Sequence, residues 1–522
     1  MILRVKNFSK SFGSKVLFKD VNLLFHKEDK IALIGKNGTG KSTFIKCISG
    51  DEFYEGLVEI TKGIKISVME QEKDFDAQYD TFENYLKNKK QIILDKIKKC
   101  EETLSNSALY EDSVSFEKVI GEYELLLARK TEGVEETKIR KILEELNFVE
   151  EDYSKPISTL SGGQKIKLRL AECLSKDADF YILDEPTNHL DLRSVAWLEN
   201  FLHKLDRALL IVSHDRYFLN RIVNKVVEIE DLHFEIYHGN YEEYKVQREE
   251  HLLVLEEKFR SVEKERKRLL DSSQEKREWA QFKCNHTLKM FADELERRAN
   301  ALPKITNPNE IKKTFKFNFT EGKTSGKMIL SAKDLWKSFD NHKVLNGVNL
   351  VVHKGERVVI EGPNGSGKTT LLKILCGLIK PDSGDVQNGI NVDIGYFDQE
   401  LRDLDQNQRV QDFFLNNFPG HKDSALISYA VRFGFPVDKL RDKIKSLSGG
   451  EKARLNLVRL MLKNCNVLVL DEPTNNLDLG LIETFEKALR DYPGTIIFVS
   501  HDRYFVERVA DRKFDLNSEN SN

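Results

Sequence analysis

Long apolar runs are missing from this sequence. No stretch of about 18 or more consecutive apolar residues occurs, so no membrane-spanning helix is predicted. The opening residues MILRVKNFSK resemble a strand and lack the apolar core and cleavage site of a secretory signal. We therefore expect a cytoplasmic protein with no membrane part.

Cysteine pairs and an excess of one charge are missing as well. The six cysteines never form a CxxC pair, which argues against a zinc ribbon and against a disulfide framework. Lys and Arg number 82 against 85 Asp and Glu, which gives a formal net charge of -3. Any nucleic-acid-binding surface must therefore be local. With 522 residues, the chain has room for about three or four domains.

The main landmarks of the sequence occur twice, in the same order. Such a duplication indicates two copies of one domain. Lys41 and Lys368 lie 327 residues apart, whereas Ser161 and Ser448 lie 287 apart. The first copy therefore contains extra residues, and its Lys/Glu/Leu-rich stretch at 75–140 predicts a helical arm. The paired segments are IALIGKNGTGKST and VVIEGPNGSGKTT, LSGGQ and LSGGE, LDEP at 183–186 and at 470–473, and SHDRYF at 213–218 and at 500–505.

Residues 241–325 match neither copy. Two runs in this region have heptad spacing, which predicts an antiparallel helical hairpin. Helices of about 28 residues would give a length of about 42 Å, with DSSQEKREWAQFKCNHTLKM (271–290) at the far end. The predicted division is thus 1–240, 241–325 and 326–522. The predicted seam residues are Leu252, Leu255, Phe259, Val262, Arg266 and Leu269, then Leu288, Phe291, Leu295, Arg298 and Leu302.

Each copy has a glycine-rich loop, GxxxxGK followed by Ser or Thr, between an apolar strand and a helix. The glycines allow backbone N–H groups to surround phosphates, and a helix N-terminus favours an anion. Lys41 and Lys368 would reach the terminal phosphates, while Ser42 and Thr369 could bind magnesium. The predicted nucleotide-binding residues of the loops are Gly35, Asn37, Gly38, Gly40, Lys41, Ser42 and Thr43, and Gly362, Asn364, Gly365, Gly367, Lys368, Thr369 and Thr370.

Paired acids end an apolar strand in each copy. Asp184 and Asp471 would belong to the magnesium shell, and Glu185 and Glu472 would orient and deprotonate the attacking water. One Asp-Glu pair could be only a solvated strand end, but here each pair follows a complete phosphate loop. We therefore predict two hydrolytic sites.

LSGGQ and LSGGE could each be only a helix start, because Ser before two glycines is a good N-cap. Together with the other motifs they resemble ATP-binding cassette (ABC) ATPases, and the resemblance covers both halves of the chain. It implies an α/β fold with two P-loop nucleotide-binding domains, in which ATP lies between the phosphate loop of one cassette and the signature of the other. The signature residues would be Ser161, Gly162, Gly163 and Gln164, and Ser448, Gly449, Gly450 and Glu451.

The same resemblance implies bound ATP with Mg²⁺ and assigns further residues to the two sites. A lone histidine is more often structural, but His214 and His501 each follow an apolar strand in SHDRYF. The implied assignments are His214 and His501 as γ-phosphate sensors, Asp191 and Asp478 as D-loops, Gln71 and Gln399 as Q-loops that share the magnesium, and Phe12 and Phe339 as stacking partners of adenine.

The hairpin is locally basic. Residues 258–289 include ten basic and five acidic side chains, in a chain that is negative overall. Basic side chains suit a phosphate backbone and aromatic ones can stack on bases, although the aromatics could instead pack the hairpin turn onto itself. The predicted RNA-binding residues are Lys276, Arg277, Trp279, Phe282 and Lys283.

Two cassettes in one chain, an arm in the first and a hairpin between them resemble the ABC-F family. That resemblance implies a monomeric ATPase that binds the exit-site region of the ribosome and contacts large-subunit RNA and P-site tRNA through the hairpin. KREWA (276–280) and the short segment after His501 resemble the branch that confers antibiotic resistance by ribosome protection. A housekeeping translation factor of the same family and a soluble ATPase subunit of a transporter are the alternatives.

Overall fold

Each half of the chain is built around a parallel β-sheet whose strands end at the nucleotide motifs. Both halves of the duplication therefore fold as α/β units, as predicted. The computed structural model describes residues 1–517 apart from 14, 70–80, 85–96, 99, 102–135, 189, 231, 283–285, 304–306, 308–318, 320–323, 340–341, 364, 399–404, 418–422, 433–434, 436, 438 and 476.

The strands of the first cassette form two sheets. They are β1 (Leu3–Phe12), β2 (Lys15–Phe25), β3 (Lys30–Gly35), β4 (Glu55–Ile60), β5 (Ile66–Met69), β6 (Phe180–Asp184), β7 (Ala208–Val212), β8 (Lys225–Glu230) and β9 (His233–His238). The larger sheet has the order β5-β6-β7-β3-β8-β9, in which only β9 is antiparallel, and the smaller antiparallel sheet has the order β2-β1-β4. Every residue of β6 and β7 is buried, as is usual for strands that are covered on both faces.

The helices of the first cassette follow the ends of its strands. They are α1 (Lys41–Ser49), α2 (Glu136–Glu145), α3 (Gly162–Ser175), α4 (Leu192–Lys204) and α5 (Arg216–Ile222). Leu168, Leu198 and Phe218 of α3, α4 and α5 share one core with the parallel sheet. Most of the arm predicted at 75–140 lies outside the described residues, and α2 overlaps only its end.

Two long helices follow the first cassette and form the predicted hairpin. They are α6 (Tyr241–Phe282), of 42 residues, and α7 (His286–Ala301), of 16 residues, which pack against each other. α6 is longer than predicted because its first turn packs on the first cassette, where Tyr241 and Tyr244 are buried in the core. Its length is about 63 Å at 1.5 Å per residue. Among the helices described here, none combines the length and the apolarity that crossing a membrane requires.

The contact face of α7 differs from the predicted seam. Phe291 is 53% exposed and Arg298 is exposed as well, whereas Ala292 and Ala299 are fully buried. The hydroxyl of Ser273 donates to the carbonyl oxygen of Ala292 at 2.7 Å. Small side chains allow the two helices to approach this closely, so the choice of Phe291 and Arg298 as seam residues was wrong.

The second cassette repeats the arrangement of the first. Its strands are β10 (Met328–Phe339), β11 (His342–His353), β12 (Arg357–Glu361), β13 (Ser383–Asn388), β14 (Ile394–Phe397), β15 (Val467–Asp471), β16 (Thr495–Val499) and β17 (Arg512–Asp515). Their orders, β14-β15-β16-β12-β17 and β11-β10-β13, match those of the first cassette apart from β9. Its helices are α8 (Lys368–Leu375), α9 (Val410–Asn417), α10 (Asp423–Arg432), α11 (Gly449–Lys463), α12 (Leu479–Asp491) and α13 (Arg503–Val509).

Candidate functional site

The phosphate loop of each cassette leads into a helix through a left-handed glycine. Gly40, before α1, has a φ of 100°, and a Cβ there would lie 2.7 Å from Cε1 of Phe18. Gly367, before α8, has a φ of 96°, and a Cβ there would lie 2.6 Å from Cγ1 of Val344. Glycine alone fits this backbone and this space, and the loop thereby exposes the N–H groups of a helix N-terminus to an anion.

The loop lysines lie between the two cassettes. Nζ of Lys41 and of Lys368 each donates a 2.8 Å hydrogen bond to the carbonyl oxygen of the glycine that opens its loop. Burial lowers the pKa of both ammonium groups, and neighbouring carboxylates oppose this shift. Those carboxylates include Asp478 of the second cassette beside Lys41 and Asp191 of the first cassette beside Lys368. The charge of each lysine therefore interacts with an aspartate of the opposite cassette.

The predicted catalytic glutamates follow β6 and β15. Glu185 and Glu472 have φ values of 52° and 46°, a left-handed conformation that costs a non-glycine residue free energy and occurs often at functional sites. Nε2 of His214 lies 3.3 Å from Oε1 of Glu185, and Nε2 of His501 lies 3.4 Å from Oε1 of Glu472. Each cassette thus places the histidine of its SHDRYF segment against its glutamate.

Burial tunes the acid–base groups of the first site. It raises the pKa of Glu185 to about 8, and the negative charge of Asp184 adds to the shift. It also lowers the pKa of His214 to about 3, with a contribution from Lys41, so this imidazole is neutral at pH 7. A carboxylate whose pKa lies near neutral pH is suited to accept a proton from water.

Oxygen atoms that could bind a divalent cation converge in the second site. Oγ1 of Thr369 donates to Oδ1 of Asp471 at 3.1 Å. Burial raises the pKa of Asp471 to about 6, and the charge of Glu472 adds to the rise. A hydroxyl beside a buried carboxylate is a typical pair of Mg²⁺ ligands, and a cation here would offset the clustered negative charge. The residues therefore fit Mg²⁺, and Ser42 and Asp184 occupy the equivalent positions of the first site.

Both signature segments cap a helix, as the simpler interpretation expected. Oγ of Ser161 accepts from the backbone N–H of Gln164 at 3.2 Å, and Oε1 of Gln164 accepts from the backbone N–H of Ser161 at 2.9 Å. Ser448 and Glu451 form the same reciprocal pair, at 3.4 Å and 2.8 Å. The capping box fixes the serine and the glycines that follow it at the mouth of the cleft between the cassettes.

That cleft brings together the motifs of both cassettes. Gln164 and Gly362 line an adjoining cleft, in which the first signature again faces the second phosphate loop. The arrangement is therefore head to tail. The predicted residues that line the main cleft are Asn37, Gly38, Gly40, Lys41, Ser42, Thr43, Ser161, Gly162, Gly163, Asp184, Glu185 and His214, and Gly365, Gly367, Lys368, Thr369, Thr370, Ser448, Gly449, Gly450, Glu451, Asp471, Glu472 and His501.

Other predicted nucleotide residues lie away from the cleft or outside the described part of the chain. Phe12 and Phe339 are 49% and 46% exposed and are the last residues of β1 and β10. Gln71, Asn364 and Gln399 are not among the described residues. Their assignments, like the adenine-stacking role, remain predictions.

The arginine of each SHDRYF segment, two residues after the histidine, was not among the predicted site residues. Arg216 is 1% exposed, and its Nη2 lies 3.2 Å from Oδ2 of Asp502 in the opposite cassette and also donates to Glu486 there. Nη1 of Arg503 donates in turn to Oε1 of Glu199 in the first cassette at 3.1 Å. The recurrence of the full SHDRYF segment in both halves was the available signal.

The far end of the hairpin presents aromatic side chains to solvent. Trp279 is 55% exposed and Phe282, the last residue of α6, is 88% exposed. Exposure of this extent disfavours the interpretation that both rings pack the turn onto itself. Lys283 is not among the described residues.

The basic side chains beside these rings lie against α7. Nζ of Lys276 lies 5.3 Å from the ring centroid of Phe291. Nη2 of Arg277 donates to Oδ1 of Asp293 at 2.7 Å and also pairs with Glu296. The charge of Arg277 is thus already paired within the hairpin, and its role in holding the two helices together competes with the predicted contact with RNA.

Comparison with protein families gives matches in both cassettes and in the linker. A family described as ABC transporter matches residues 18–188 and 345–475. A second family with the same description matches residues 227–317, which include α6 and α7.

Several curated proteins are similar over nearly the whole chain. YdiF of Bacillus subtilis (strain 168), named as an ATP-binding protein, is 38% identical over 99% of this chain and 80% of its own length. ABC transporter F family member 2 of Arabidopsis thaliana is 33% identical over 98% of this chain and 75% of its own length. ATP-binding protein Uup of Haemophilus influenzae is 32% identical over 98% of this chain and 78% of its own length.

Solved structures show the same fold at low identity. RNase-L Inhibitor superposes with a TM-score of 0.59 at 17% identity, over 98% of this chain and 87% of that one. A structure titled as ribosome-bound archaeal Pelota and ABCE1 gives 0.56 at 18% identity, over 98% and 76%. At these identities the likeness concerns the fold. The twin cassette matches and the near full-length relatives together show that this chain is an ATP-binding ATPase and belongs to the ABC-F family.

Proposed function

We propose that this ATPase works in the cytoplasm on the ribosome, binding near the exit site with its cassettes closed on ATP. The hairpin would then contact P-site tRNA and large-subunit RNA. The observation that carries the proposal is the exposed pair Trp279 and Phe282 at the end of a helix about 63 Å long. Apolar rings at such a position favour a partner that covers them, and unstacked RNA bases bind aromatic side chains in this way.

Two further features support an RNA partner. Residues 258–289 have ten basic side chains against five acidic ones, and a local positive charge attracts a phosphate backbone. A protein with the same twin-cassette fold is titled as ribosome-bound. That likeness supports the choice of the ribosome as the partner to test first.

ATP would act as the ligand that closes the cassettes. Each nucleotide would contact Lys41 or Lys368 from one side and the signature serine, Ser448 or Ser161, from the other. Binding energy across the interface would therefore favour the closed form. Bound Mg²⁺ would neutralise phosphate charge beside Thr369 or its equivalent. Loss of the γ-phosphate removes the bridge, and we propose that the protein then leaves the ribosome.

The glutamates would carry out the proton transfer. Glu185, whose pKa is raised by burial to about 8, would accept a proton from the attacking water, and Glu472 would do the same in the second site. His214 is 3.3 Å from Glu185 and would contact the terminal phosphate as a neutral imidazole. Because hydrolysis removes the bridging γ-phosphate, hydrolysis in either site would favour release of the protein from the ribosome.

The decisive experiment uses the double variant Glu185→Gln, Glu472→Gln, which should bind ATP without hydrolysing it. We expect ATP-dependent co-sedimentation of this variant with bacterial ribosomes and none without nucleotide. Lys41→Ala, Lys368→Ala in the same background is the control, because it removes the phosphate contacts. If the trapped protein stays in the supernatant with ATP, the ribosomal proposal fails and a transporter subunit becomes the better hypothesis.

For the biological outcome we propose ribosome protection against an antibiotic. The support is the sequence KREWA (276–280), which ends two residues before Phe282. In a cell-free translation system inhibited by peptidyl-transferase-centre antibiotics, the parent protein should restore synthesis and the double Gln variant should not. A protein that alters translation without antibiotic and restores none of it with antibiotic is instead a housekeeping translation factor.

A further inference from the structure

Two pseudo-symmetric arginines cross the interface between the cassettes. Arg216, at the start of α5, contacts Asp502 and Glu486 of the second cassette, and the centre of its guanidinium lies 5.3 Å from the ring centroid of Tyr504. We call Arg216, Asp502, Glu486 and Tyr504 the interface lock. Arg216 and Glu486 are 1% and 2% exposed. An ion pair this well buried is costly to break by removing one partner.

The contacts on the other side of the pseudo-twofold axis are similar but looser. Arg503 donates to Glu199 at 3.1 Å and its guanidinium lies 4.9 Å from the ring centroid of Tyr217. Its side chain is 24% exposed, compared with 2% for Arg216. The rings of Tyr217 and Tyr504 lie 6.0 Å apart across the interface. The interface lock is therefore the more deeply buried half of a wider interface between the two cassettes.

The symmetry is broken where the second cassette meets the start of the hairpin. The hydroxyl of Tyr504 donates to Oε1 of Glu242 on α6 at 3.0 Å. Nζ of Lys245 on α6 lies 2.8 Å from Oε1 of Glu483 on α12. The position equivalent to Glu483 in the first cassette is Ala196, which has no charge to offer. We call residues 241–248 of α6 the linker root.

The linker root is also fixed to the first cassette. Arg248 donates to both carboxylate oxygens of Glu228 on β8 at 2.8 Å. Tyr244 is buried, and its ring lies 5.0 Å from that of Tyr237 on β9. A rotation of the second cassette relative to the first would therefore pull on one face of the root while the opposite face is held.

The lock also lies directly beside the two phosphate sensors. Arg216 is two residues from His214, and Asp502 is the residue after His501. Nε and Nη1 of Arg216 have no hydrogen-bond acceptor in the described part of the chain. A buried guanidinium with unused N–H donors can change its hydrogen-bond acceptors when the cassettes move. A side chain that couples two sites is expected to switch between two sets of contacts in this way.

We propose that the interface lock transmits the nucleotide state of the cassettes to the hairpin through Tyr504–Glu242 and Glu483–Lys245. Tyr504 and Lys245 are positioning residues in this scheme, since neither lines the cleft between the cassettes. The inference relies on the ATP-driven closure proposed above, but not on the ribosome as partner. ATP would close the cassettes, and the two contacts would swing the root and hence the tip.

The test measures two distances by fluorescence energy transfer in the full chain, carrying Glu185→Gln and Glu472→Gln so that ATP persists. Dyes attached through non-natural amino acids at exposed positions 200 and 487 report closure. Dyes at exposed positions 275 and 200 report the movement of the hairpin relative to the first cassette. The transmission variant is Tyr504→Phe, Lys245→Gln. Its matched control is Tyr217→Phe, because the hydroxyl of Tyr217 bonds to no described residue.

In the parent and in the control we expect ATP to shift both distances. In the transmission variant we expect the 200–487 shift to remain and the 275–200 shift to fall by at least about half, since only the connection to the root is removed. An unchanged 275–200 shift in that variant overturns transmission through these contacts while leaving closure intact. If ATP shifts neither distance in the parent, closure itself fails, and the proposed function fails with it.

Discussion

Glu185 and Glu472 share the same left-handed backbone conformation, with φ values of 52° and 46°, at the ends of equivalent strands. The carboxylates of Glu185 and Glu472 lie 3.3 Å from His214 and 3.4 Å from His501, respectively. Because glutamine has the same shape and the same backbone preferences, a Gln substitution changes the chemistry of each position and leaves the geometry in place.

Single Gln variants test whether the two sites work together. Glu185→Gln alone and Glu472→Gln alone each leave one complete site, but the interface lock connects the two cassettes. We therefore expect each single variant to retain clearly less than half of the parent's steady-state phosphate release, and the double variant to lose about 100-fold or more, the usual contribution of a general base. Retention of half the rate by both single variants would show that the sites are independent, and normal turnover by the double variant would refute the general-base assignment.

Arg216→Met tests the stability supplied by the lock. Methionine keeps the apolar stem but leaves Asp502 and Glu486 without their partner from the first cassette. Removing one member of a buried ion pair costs about 3 kcal/mol, so we expect a melting temperature several degrees below that of the parent. Arg503→Met is the matched control, and its partly exposed side chain predicts a smaller loss. Equal decreases in melting temperature in the two variants would contradict the distinction between the buried contacts of Arg216 and the partly exposed contacts of Arg503.

The pH dependence of stability should reveal the titration of Asp215, which is the N-cap of α5. Burial raises the pKa of Asp215 to about 6, with the negative charges of Asp502 and Glu199 adding to the rise and Arg503 opposing it. Protonation then favours the folded state, so this stabilisation is complete below the ordinary aspartate pKa of about 4 and is lost as the pH rises through about 6.

Asp215→Asn removes this titration and can still accept the hydrogen bond from the N–H of Phe218, which is 3.0 Å long in the parent. We expect the melting temperature of the parent, relative to that of the variant, to fall between pH 4 and pH 7. Thermal melts at pH steps across that range measure the difference. A difference that stays constant, or rises with pH, would show that Asp215 does not titrate in this window.

The sequence allowed prediction of those motifs whose residues lie close together in the chain. A GxxxxGK loop after an apolar strand adopts its backbone conformation locally, and Lys41 and Lys368 accordingly bond back to their own loops and line the cleft between the cassettes. The interface lock could not be derived in this way, because Arg216 and Glu486 are 270 residues apart and meet only after both cassettes have folded and docked. The face of α7 was misassigned for a related reason: the heptad pattern favoured the large Phe291, while close helix packing selects Ala292.

The tip of the hairpin gives the last test. Trp279→Ala, Phe282→Ala should leave ATP turnover in the absence of ribosomes unchanged, since both rings lie at the end of α6 and away from the nucleotide cleft. If the rings stack on RNA, each stacked base contributes about 1–3 kcal/mol, so affinity for ribosomes should fall by about tenfold or more.

Phe53→Ala is the matched control, because Phe53 is 94% exposed but belongs to the first cassette. Binding of all three proteins to ribosomes would be measured by sedimentation in the presence of ATP, with Glu185 and Glu472 replaced by glutamine in each. Loss of binding in the tip variant alone would assign the rings to the RNA contact, since Phe53 is also exposed but lies in the first cassette. A fall in the ATP turnover of the tip variant with both glutamates intact would instead show that the rings support the fold of the hairpin. Equal binding by all three proteins would remove the tip from the interface.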